Sequence, residues 1–336
     1  MSPDPRSSIQ ASGDRVVDAP LAIDRVRAAE RLLVVGIGGG GDVVGALAVA
    51  ESARSLGTDA VVGGLTWERR PVDPTPGPRR IDEIVDAVEI LHPAVALAGP
   101  RTSGRSGSSR FSFAESRMAA FLGEHVVLLD PNPGPAVIAD GLATAAAALA
   151  CDLVVLLDVG GDVLAHGHES GLASPLADAL VLAAAPRLST LGIDVIAAVF
   201  GAGCDGELHP DEVAERHQEV AAAGGDLGDL PLSGEHLDRL ESAITTVVTE
   251  ASAMAIRCAR GETGEVPIRS GRRTVVLTPD GGRIRCVDPR VAIDSAARLA
   301  KLLLDATDLE DGHRRLTDLG IRTELAYERD AAAGLL

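Results

Sequence analysis

The stretch RLLVVGIGGGGDVVGALAVA, residues 31–50, contains the pattern that decides the fold. Its apolar run ends in glycines from Gly36 onward, and the residues after Asp42 have the spacing of a helix that stops at Gly57. This order of strand, glycine turn and helix is typical of the start of a βαβ unit. A second stretch, LVVLLDVGGDV at residues 153–163, again places Gly-Gly-Asp-Val after an apolar strand.

The rest of the chain continues this alternation of strands with helices of about 10 to 15 residues. The predicted strands cover residues 59–65, 126–130 and 194–200, and the predicted helices cover residues 134–150, 175–191 and 210–223. The pattern predicts an α/β fold with a doubly wound, mostly parallel, Rossmann-like sheet.

Changes in composition divide the chain into segments. Residues 1–28 are predicted as a flexible N-terminal arm, residues 29–305 as the α/β domain, and residues 306–336 as a C-terminal tail. Within the domain, residues 224–305 are predicted as a helical and hairpin addition, with one long helix over 233–260 and a hairpin over 274–287.

Composition and charge exclude several classes of protein. Hydrophobic residues make up 46% and aromatic residues 2% of the 336 residues, so we expect an aliphatic core of the kind that fills a parallel sheet. The net charge of -18 opposes binding to nucleic acid. No apolar run reaches the roughly 18 to 20 residues of a membrane span, and the start lacks a signal peptide, so we expect a cytoplasmic protein without a membrane partner.

The first glycine turn satisfies the GxGxxG pattern, and its backbone amides could hold a phosphate or carboxylate. Asp42 at the helix start would repel a pyrophosphate and favour a metal or a hydroxyl group, which disfavours NAD. The only lysine, Lys301, lies in a late predicted helix, which disfavours PLP. The predicted ligand-binding residues of the two turns are Gly38, Gly39, Gly40, Gly41, Asp42, Gly160 and Gly161. The alternative is that Asp42 only caps its helix.

Acidic residues recur where predicted strands end. Asp42 and Asp162 are predicted to face each other across a crevice at the carboxyl ends of two strands. With Asp158 they form the predicted site for Mg²⁺ or Mn²⁺, while Asp205 and Glu207 are predicted to contact the ligand. The alternative is that these are ordinary loop acids of an acidic protein.

Two further groups complete the predicted site. Asp162, Glu169 and His168 are the candidate catalytic residues, because a carboxylate or histidine near the second turn could act as general acid or base. Glu68 and Arg69 follow Trp67 at the end of a strand, and Arg69 and Arg79 could clamp a carboxylate or phosphate. The alternatives are a solvated loop histidine and a packed loop anchor.

In combination, the motifs GGGGDV (38–43), WER (67–69), DVGGD (158–162) and DGE (205–207) resemble an uncharacterised archaeal and actinobacterial family, a domain of unknown function. The resemblance runs over about residues 30–305 and implies the α/β fold and the choice of site, but no activity. DVGGD, with Gly167 and Glu169 after it, is also similar to the glycine-rich acidic motif of D-glutamate cyclases, which would imply a dehydratase that holds an amino-acid carboxylate.

These observations predict an enzyme, a hydrolase or lyase rather than an oxidoreductase, for a small phosphorylated, nucleotide-like or carboxylate metabolite. Two alternatives are a metal-free amino-acid dehydratase and a non-catalytic sensor of a nucleotide or amino acid. An S-adenosylmethionine-dependent methyltransferase would rest on Gly36-x-Gly38 alone. The Ala-rich helices leave a homo-oligomer open.

Overall fold

A computed structural model describes residues 21–336, so residues 1–20 of the predicted arm lie outside the described residues. In the part described, the strands are β1 (Arg31–Gly36), β2 (Asp59–Leu65), β3 (Ile84–Val85), β4 (Glu89–His92), β5 (Val95–Ala98), β6 (Ser103–Ser106), β7 (Ser109–Ser112), β8 (Val126–Leu129), β9 (Leu153–Val159), β10 (Asp194–Phe200), β11 (Asp226–Leu230), β12 (Gly264–Ile268), β13 (Arg273–Leu277) and β14 (Ile284–Val287). The helices are α1 (Ala22–Ala28), α2 (Asp42–Ser55), α3 (Ala114–Leu122), α4 (Gly134–Ala148), α5 (Leu176–Leu182), α6 (Ala185–Thr190), α7 (Pro210–Ala222), α8 (Gly234–Ile244), α9 (Glu250–Ala259), α10 (Pro289–Asp294), α11 (Arg298–Leu303), α12 (Leu309–Asp318) and α13 (Glu324–Ala332).

The central element is a nine-stranded sheet with the order β11-β14-β10-β9-β1-β2-β8-β5-β4. The five middle strands pair in parallel, and β5 and β14 run antiparallel to their neighbours. Strands β3, β6 and β7 form a small separate sheet, and β12 and β13 form a two-stranded ribbon. The predicted α/β class with a mostly parallel central sheet is confirmed.

The strand order reverses between β1 and β9. From β1 the chain moves outward through β2 to β8, then returns to β9 on the other side of β1 and continues to β10. In open α/β sheets, ligands bind in the crevice outside the carboxyl ends of the strands at such a switch point. The two glycine turns follow these two strands, so the topology brings them together.

Apolar layers cover both faces of the sheet. Leu33 and Val35 of β1 belong to one cluster, and Leu32 and Val34 to the cluster on the opposite face. All four side chains are fully buried. Burial on both faces explains why the central strands are continuous apolar runs rather than alternating ones.

Two predicted long helices are each broken in two. The segment predicted as one helix over 175–191 forms α5 and α6, and the segment over 233–260 forms α8 and α9. The second break falls at residues 245–249, Thr-Thr-Val-Val-Thr, where β-branched side chains lower helix propensity.

The predicted hairpin over residues 274–287 is wrong. Strand β13 pairs with β12, and β14 enters the central sheet between β10 and β11. Ile284 and Cys286 of β14 are fully buried there. Burial of this strand on the core outweighs the local pairing that the Asp-Gly-Gly turn suggested.

The segment predicted as a C-terminal tail forms α12 and α13. Leu309, Leu316 and Leu325 are buried in the same cluster as one face of the sheet. These helices are therefore part of the α/β domain. Among residues 21–336, helices long and apolar enough to cross a bilayer are absent.

Close packing at Gly282 gives a first testable prediction. A Cβ there would lie 2.5 Å from Ala259 Cα and 2.6 Å from Ala259 N, against the backbone of α9. We expect Gly282→Ala to lower the free energy of unfolding by about 1–3 kcal/mol, the usual cost of overpacking. Urea unfolding measures it, with Gly234→Ala as control because a Cβ there meets nothing within 4 Å. Equal stability of the two variants would contradict the packing described.

Candidate functional site

A cavity of about 640 Å³ opens where β1 and β9 end. Its lining includes Gly38–Gly41 and Asp42 from the first turn and Asp158 and Asp162 from the second. The two turns predicted to share one crevice thus line the same cavity. The connection between α8 and α9 forms another part of its wall through Thr246 and Thr249.

Three carboxylates from different elements meet at the floor of this cavity. Asp42 begins α2, Asp158 lies near the end of β9, and Asp178 lies in α5. Each offers one oxygen, and these oxygens lie within 4.8 Å of one another. We call Asp42, Asp158 and Asp178 the first triad. Asp178 replaces Asp162 in the ligand set predicted from the sequence.

A second group of carboxylates lines the same cavity. Asp162 follows the second glycine turn, and Asp205 and Glu207 follow β10. Their oxygens also lie within 4.8 Å of one another. We call these residues the second triad. Besides burial, the charges of Asp178 and Asp158 from the first triad and of Glu207 and Asp205 raise the pKa of Asp162. The two triads are therefore electrostatically coupled.

Backbone amides of the glycine turns orient the carboxylates. Asp42 Oδ2 accepts a hydrogen bond from Gly38 N at 3.0 Å, and Asp158 Oδ2 accepts one from Gly161 N at 2.8 Å. Asp205 Oδ1 accepts one from the backbone two residues later at 3.1 Å. In each case backbone amides hold one oxygen of the carboxylate.

Asp178 is the member of the first triad without such support. Its side chain is buried, and Oδ1 has no hydrogen-bond partner within residues 21–336. A Cβ on Gly38 would lie 3.1 Å from this oxygen and 2.6 Å from Asp42 Oδ2, so only glycine lets the two carboxylates approach. An unsatisfied buried polar group costs about 1–3 kcal/mol, so this oxygen is an available acceptor in the site.

The electrostatics of the site disfavour ionised carboxylates without a cation. Burial raises the pKa of Asp42 and of Asp205 to about 7. Burial, and then the neighbouring negative charges, raise the pKa of Asp158, Asp162 and Asp178 well above the ordinary value for aspartate. A bound cation reverses this effect, because it stabilises the charged form of each carboxyl group.

The glycine turns use several of their own amides. Gly38 N donates to Asp42, and Gly40 N donates to the backbone oxygen of Trp67 at 2.9 Å. Gly160 N donates to a backbone oxygen of β10. The amide of Gly38, which the sequence predicts as a donor to a bound anion, therefore donates to Asp42 instead. The positive φ of Gly39 (79°) and Gly40 (56°) is what allows the turn to fold back in this way.

Arg69 forms the wall between the turn and the C-terminal helices. One guanidinium nitrogen donates to Gly38 O at 2.6 Å, and the group forms ion pairs with Glu324 at 3.7 Å and Glu328 at 3.5 Å. It also lies 4.7 Å above the centre of the Trp67 ring. Arg69 lines the cavity, so it can contact a ligand while it holds the turn in place.

Comparisons with known proteins place the chain in a family. A family model described as a protein of unknown function (DUF1152) matches residues 33–332. The chain belongs to this DUF1152 family. No curated protein and no solved structure gives a significant match. The resemblance to a domain of unknown function is thus confirmed, and the DUF1152 match includes all of α12 and α13. The similarity to D-glutamate cyclases stays a prediction.

Glu68 and Arg79 have different places in this DUF1152 chain. Glu68 lines the cavity, and its carboxylate accepts hydrogen bonds from Ala114 N, at the start of α3, and from Arg117. Arg79 is outside the lining of the cavity. Its guanidinium pairs with Asp73 at 3.0 Å and donates to backbone oxygens of residues 75–77. The structure therefore makes Arg79 an anchor of the proline-rich loop rather than a ligand clamp.

The predicted catalytic residues Glu169 and His168 also lie outside the cavity lining. Both oxygens of Glu169 accept hydrogen bonds from the backbone amides of residues 166–168, and Arg216 lies 3.5 Å away. Glu169 thus holds its own loop together, and His168 is exposed. His166, His168 and Glu169 could form a separate metal-binding group, but Arg216 and Glu219 already hold the ring of His166.

Asp130, at the end of β8, gives a pH-dependent prediction away from the triads. Burial raises its pKa from 3.8 to about 6. The folded state therefore binds a proton more tightly than the unfolded state does. Protonated Asp130 therefore adds about 3 kcal/mol to the free energy of unfolding below about pH 4. This contribution is lost as the pH rises through about 6.

We expect Asp130→Asn to flatten the fall in the free energy of unfolding between pH 4 and pH 7. Urea unfolding across that range measures the slope. The exposed Asp318→Asn serves as control and should keep the slope of the wild type. Identical slopes in all three proteins would show that Asp130 titrates normally.

Proposed function

We propose that this protein is an enzyme that uses a divalent cation to act on a small phosphorylated or otherwise anionic metabolite. The observation that carries the proposal is the buried carboxylate of Asp178, which has an unpartnered oxygen and offers an oxygen within 4.8 Å of ligand atoms of Asp42 and Asp158. Hard cations such as Mg²⁺ and Mn²⁺ prefer carboxylate oxygens arranged in this way. The position at the switch point of the sheet supports a ligand site independently.

In this proposal the first triad holds the cation, and the second triad lines the same cavity. The cation neutralises the carboxylates, so that an anionic substrate can enter an acidic site. Asp162, a member of the second triad, lines the cavity, and its carboxylate is the proposed general base or acid. Glu207 instead fixes the neighbouring loop, because it accepts hydrogen bonds from the backbone amides of Ala173 and Ser174 at 2.7 Å.

The acidic side chains of the cavity favour a metal-dependent enzyme over a metal-free dehydratase. A substrate carboxylate would have to approach these buried acidic side chains without a cation between them. A non-catalytic sensor would bind its ligand in the same cavity. A substitution is therefore needed to distinguish a sensor from an enzyme. For a catalyst, we expect Asp162→Asn to lose turnover while it keeps ligand affinity, whereas a sensor would lose affinity alone.

The direct test combines metal binding with turnover. Calorimetric titration of EDTA-treated protein with Mn²⁺ should show binding, and phosphate release from a panel of phosphorylated metabolites should require Mn²⁺ or Mg²⁺. We expect Asp158→Asn to abolish both signals. Asp140→Asn is the matched control, because Asp140 pairs with Arg187 and is not among the residues that line the cavity. Undiminished Mn²⁺ binding by Asp158→Asn would refute the site.

A further inference from the structure

A second cavity, of about 760 Å³, adjoins the first. Arg69, Arg70 and Arg269 line both cavities, so the two spaces share a wall. Arg272 and Arg273 also line the second one. An arginine-rich chamber thus opens directly beside the acidic triads.

The acidic residues of α13 that line this chamber are already occupied. Glu324 accepts hydrogen bonds from the backbone amides of Leu176 and Ala177, at the start of α5. Glu328 accepts hydrogen bonds from the indole of Trp67 and from Gly77 N. Both also pair with Arg69. Neither carboxylate is left to neutralise the remaining arginines.

The other acidic residues of the chamber are occupied too. Glu207 pairs with Arg273 at 3.2 Å in addition to its loop contacts. Glu250 accepts hydrogen bonds from the backbone nitrogen of Arg269. Each acidic side chain in the chamber therefore has an internal partner.

Three guanidinium groups remain without a carboxylate partner within residues 21–336. They belong to Arg70, Arg269 and Arg272, which are all exposed. The single side-chain hydrogen bond among them runs from Arg272 Nε to the backbone oxygen of Arg269 at 3.1 Å. The last two lie in the turn between β12 and β13, which is positioned at the edge of both cavities. These three guanidinium groups can therefore pair with an anion that enters the chamber.

We infer that Arg70, Arg269 and Arg272 form a phosphate-binding subsite, so that the substrate carries a second phosphate group besides the one at the cation. Guanidinium groups bind phosphate oxygens through paired, charge-assisted hydrogen bonds. Because Arg70 and Arg269 line both cavities, a ligand held at the acidic centre lies within reach of the arginines. This inference rests on the proposed function for the first phosphate, whereas the subsite itself does not require a cation.

Inorganic phosphate is the probe for the subsite, titrated in EDTA so that no cation contributes. We expect the double variant Arg269→Ala, Arg272→Ala to bind phosphate at least about tenfold more weakly than the wild type, as the loss of two charge-assisted contacts implies. Arg105→Ala, which removes an exposed arginine of β6, is the control and should bind like the wild type. Equal phosphate affinity in the wild type and the double variant, or no binding by the wild type at 0.15 M salt, would overturn the inference.

The same double variant tests the substrate class. With Mn²⁺ present, its kcat/KM should fall for substrates with two phosphates and stay unchanged for substrates with one. Its Mn²⁺ affinity should equal that of the wild type, which separates this inference from the proposed function. If the wild type did not bind Mn²⁺, the proposed cation site would be refuted. The phosphate titration in EDTA would still decide whether the subsite exists. Equal losses for both substrate types would refute the second phosphate.

Discussion

Replacing Asp178 by asparagine is expected to stabilise the metal-free protein and to remove its stabilisation by Mn²⁺. The carboxyl group of Asp178 is buried, its Oδ1 lacks a partner within residues 21–336, and the charges of Asp158 and Asp42 repel it. Asparagine keeps the shape of the side chain and removes the charge. We expect the free energy of unfolding in EDTA at pH 8 to rise by about 1–3 kcal/mol, because the amide carries no buried charge and its NH2 group can donate to a neighbouring carboxylate.

The response to the cation should have the opposite sign. At about 100 times its dissociation constant, Mn²⁺ should stabilise the wild type by roughly 2.7 kcal/mol and Asp178→Asn by almost nothing. Urea unfolding in EDTA and in Mn²⁺ measures both quantities. Asp140→Asn should behave like the wild type in both conditions, because its carboxylate makes a surface ion pair. If Asp178→Asn were less stable than the wild type in EDTA and were still stabilised by Mn²⁺, Asp178 would not be a cation ligand.

The sheet and most of the acidic site could be predicted from the sequence, because both depend on local patterns. Strands buried on both faces appear as unbroken apolar runs, as in β1 and β9. The turn residues that follow them must lie at the switch point of a doubly wound sheet. The sequence pattern therefore predicts Asp42, Asp158, Asp162 and Asp205 as residues of the site.

Asp178 was missed as a ligand because it lies on a helix and not at the end of a strand. A signal for it was present: α5 reads LADALVL, and Asp178 is the one charged residue in that buried stretch. A charged side chain in a fully buried helix needs a partner. Glu169 shows the opposite error, since its position beside the turn suggested chemistry, whereas its own loop amides use both oxygens.

The C-terminal helices could not be predicted as part of the site. Their contacts join residues far apart in the chain, such as Glu328 and Trp67, and such pairs leave no periodic pattern in the sequence. The same reason explains the error at β14. Its partner strands β10 and β11 come from elsewhere in the chain, whereas a hairpin is inferred from adjacent residues alone.

Glu328→Ala is expected to be strongly destabilising, by about 3–5 kcal/mol, the range for breaking a buried charge pair from one side. The Glu328 side chain is buried, accepts hydrogen bonds from Trp67 Nε1 at 3.1 Å and Gly77 N at 2.8 Å, and pairs with Arg69. Alanine leaves all three donors without this acceptor. Glu310→Ala, which removes a surface ion pair with Arg329, is the matched control on α12, with an expected loss of about 0–1 kcal/mol.

The fluorescence of Trp67 connects this prediction to the site, since it is the only tryptophan of the chain and its side chain is fully buried. Below the unfolding transition, we expect Glu328→Ala to shift the emission to longer wavelength, because water replaces the carboxylate at the indole nitrogen. Arg69 would lose one of its two acidic partners, so its hydrogen bond to Gly38 O would weaken. The turn that positions Asp42 would then be held less firmly. Mn²⁺ affinity should therefore fall in Glu328→Ala and stay unchanged in Glu310→Ala. If both variants kept wild-type stability and Mn²⁺ affinity, α13 would be a peripheral helix rather than a support of the acidic centre.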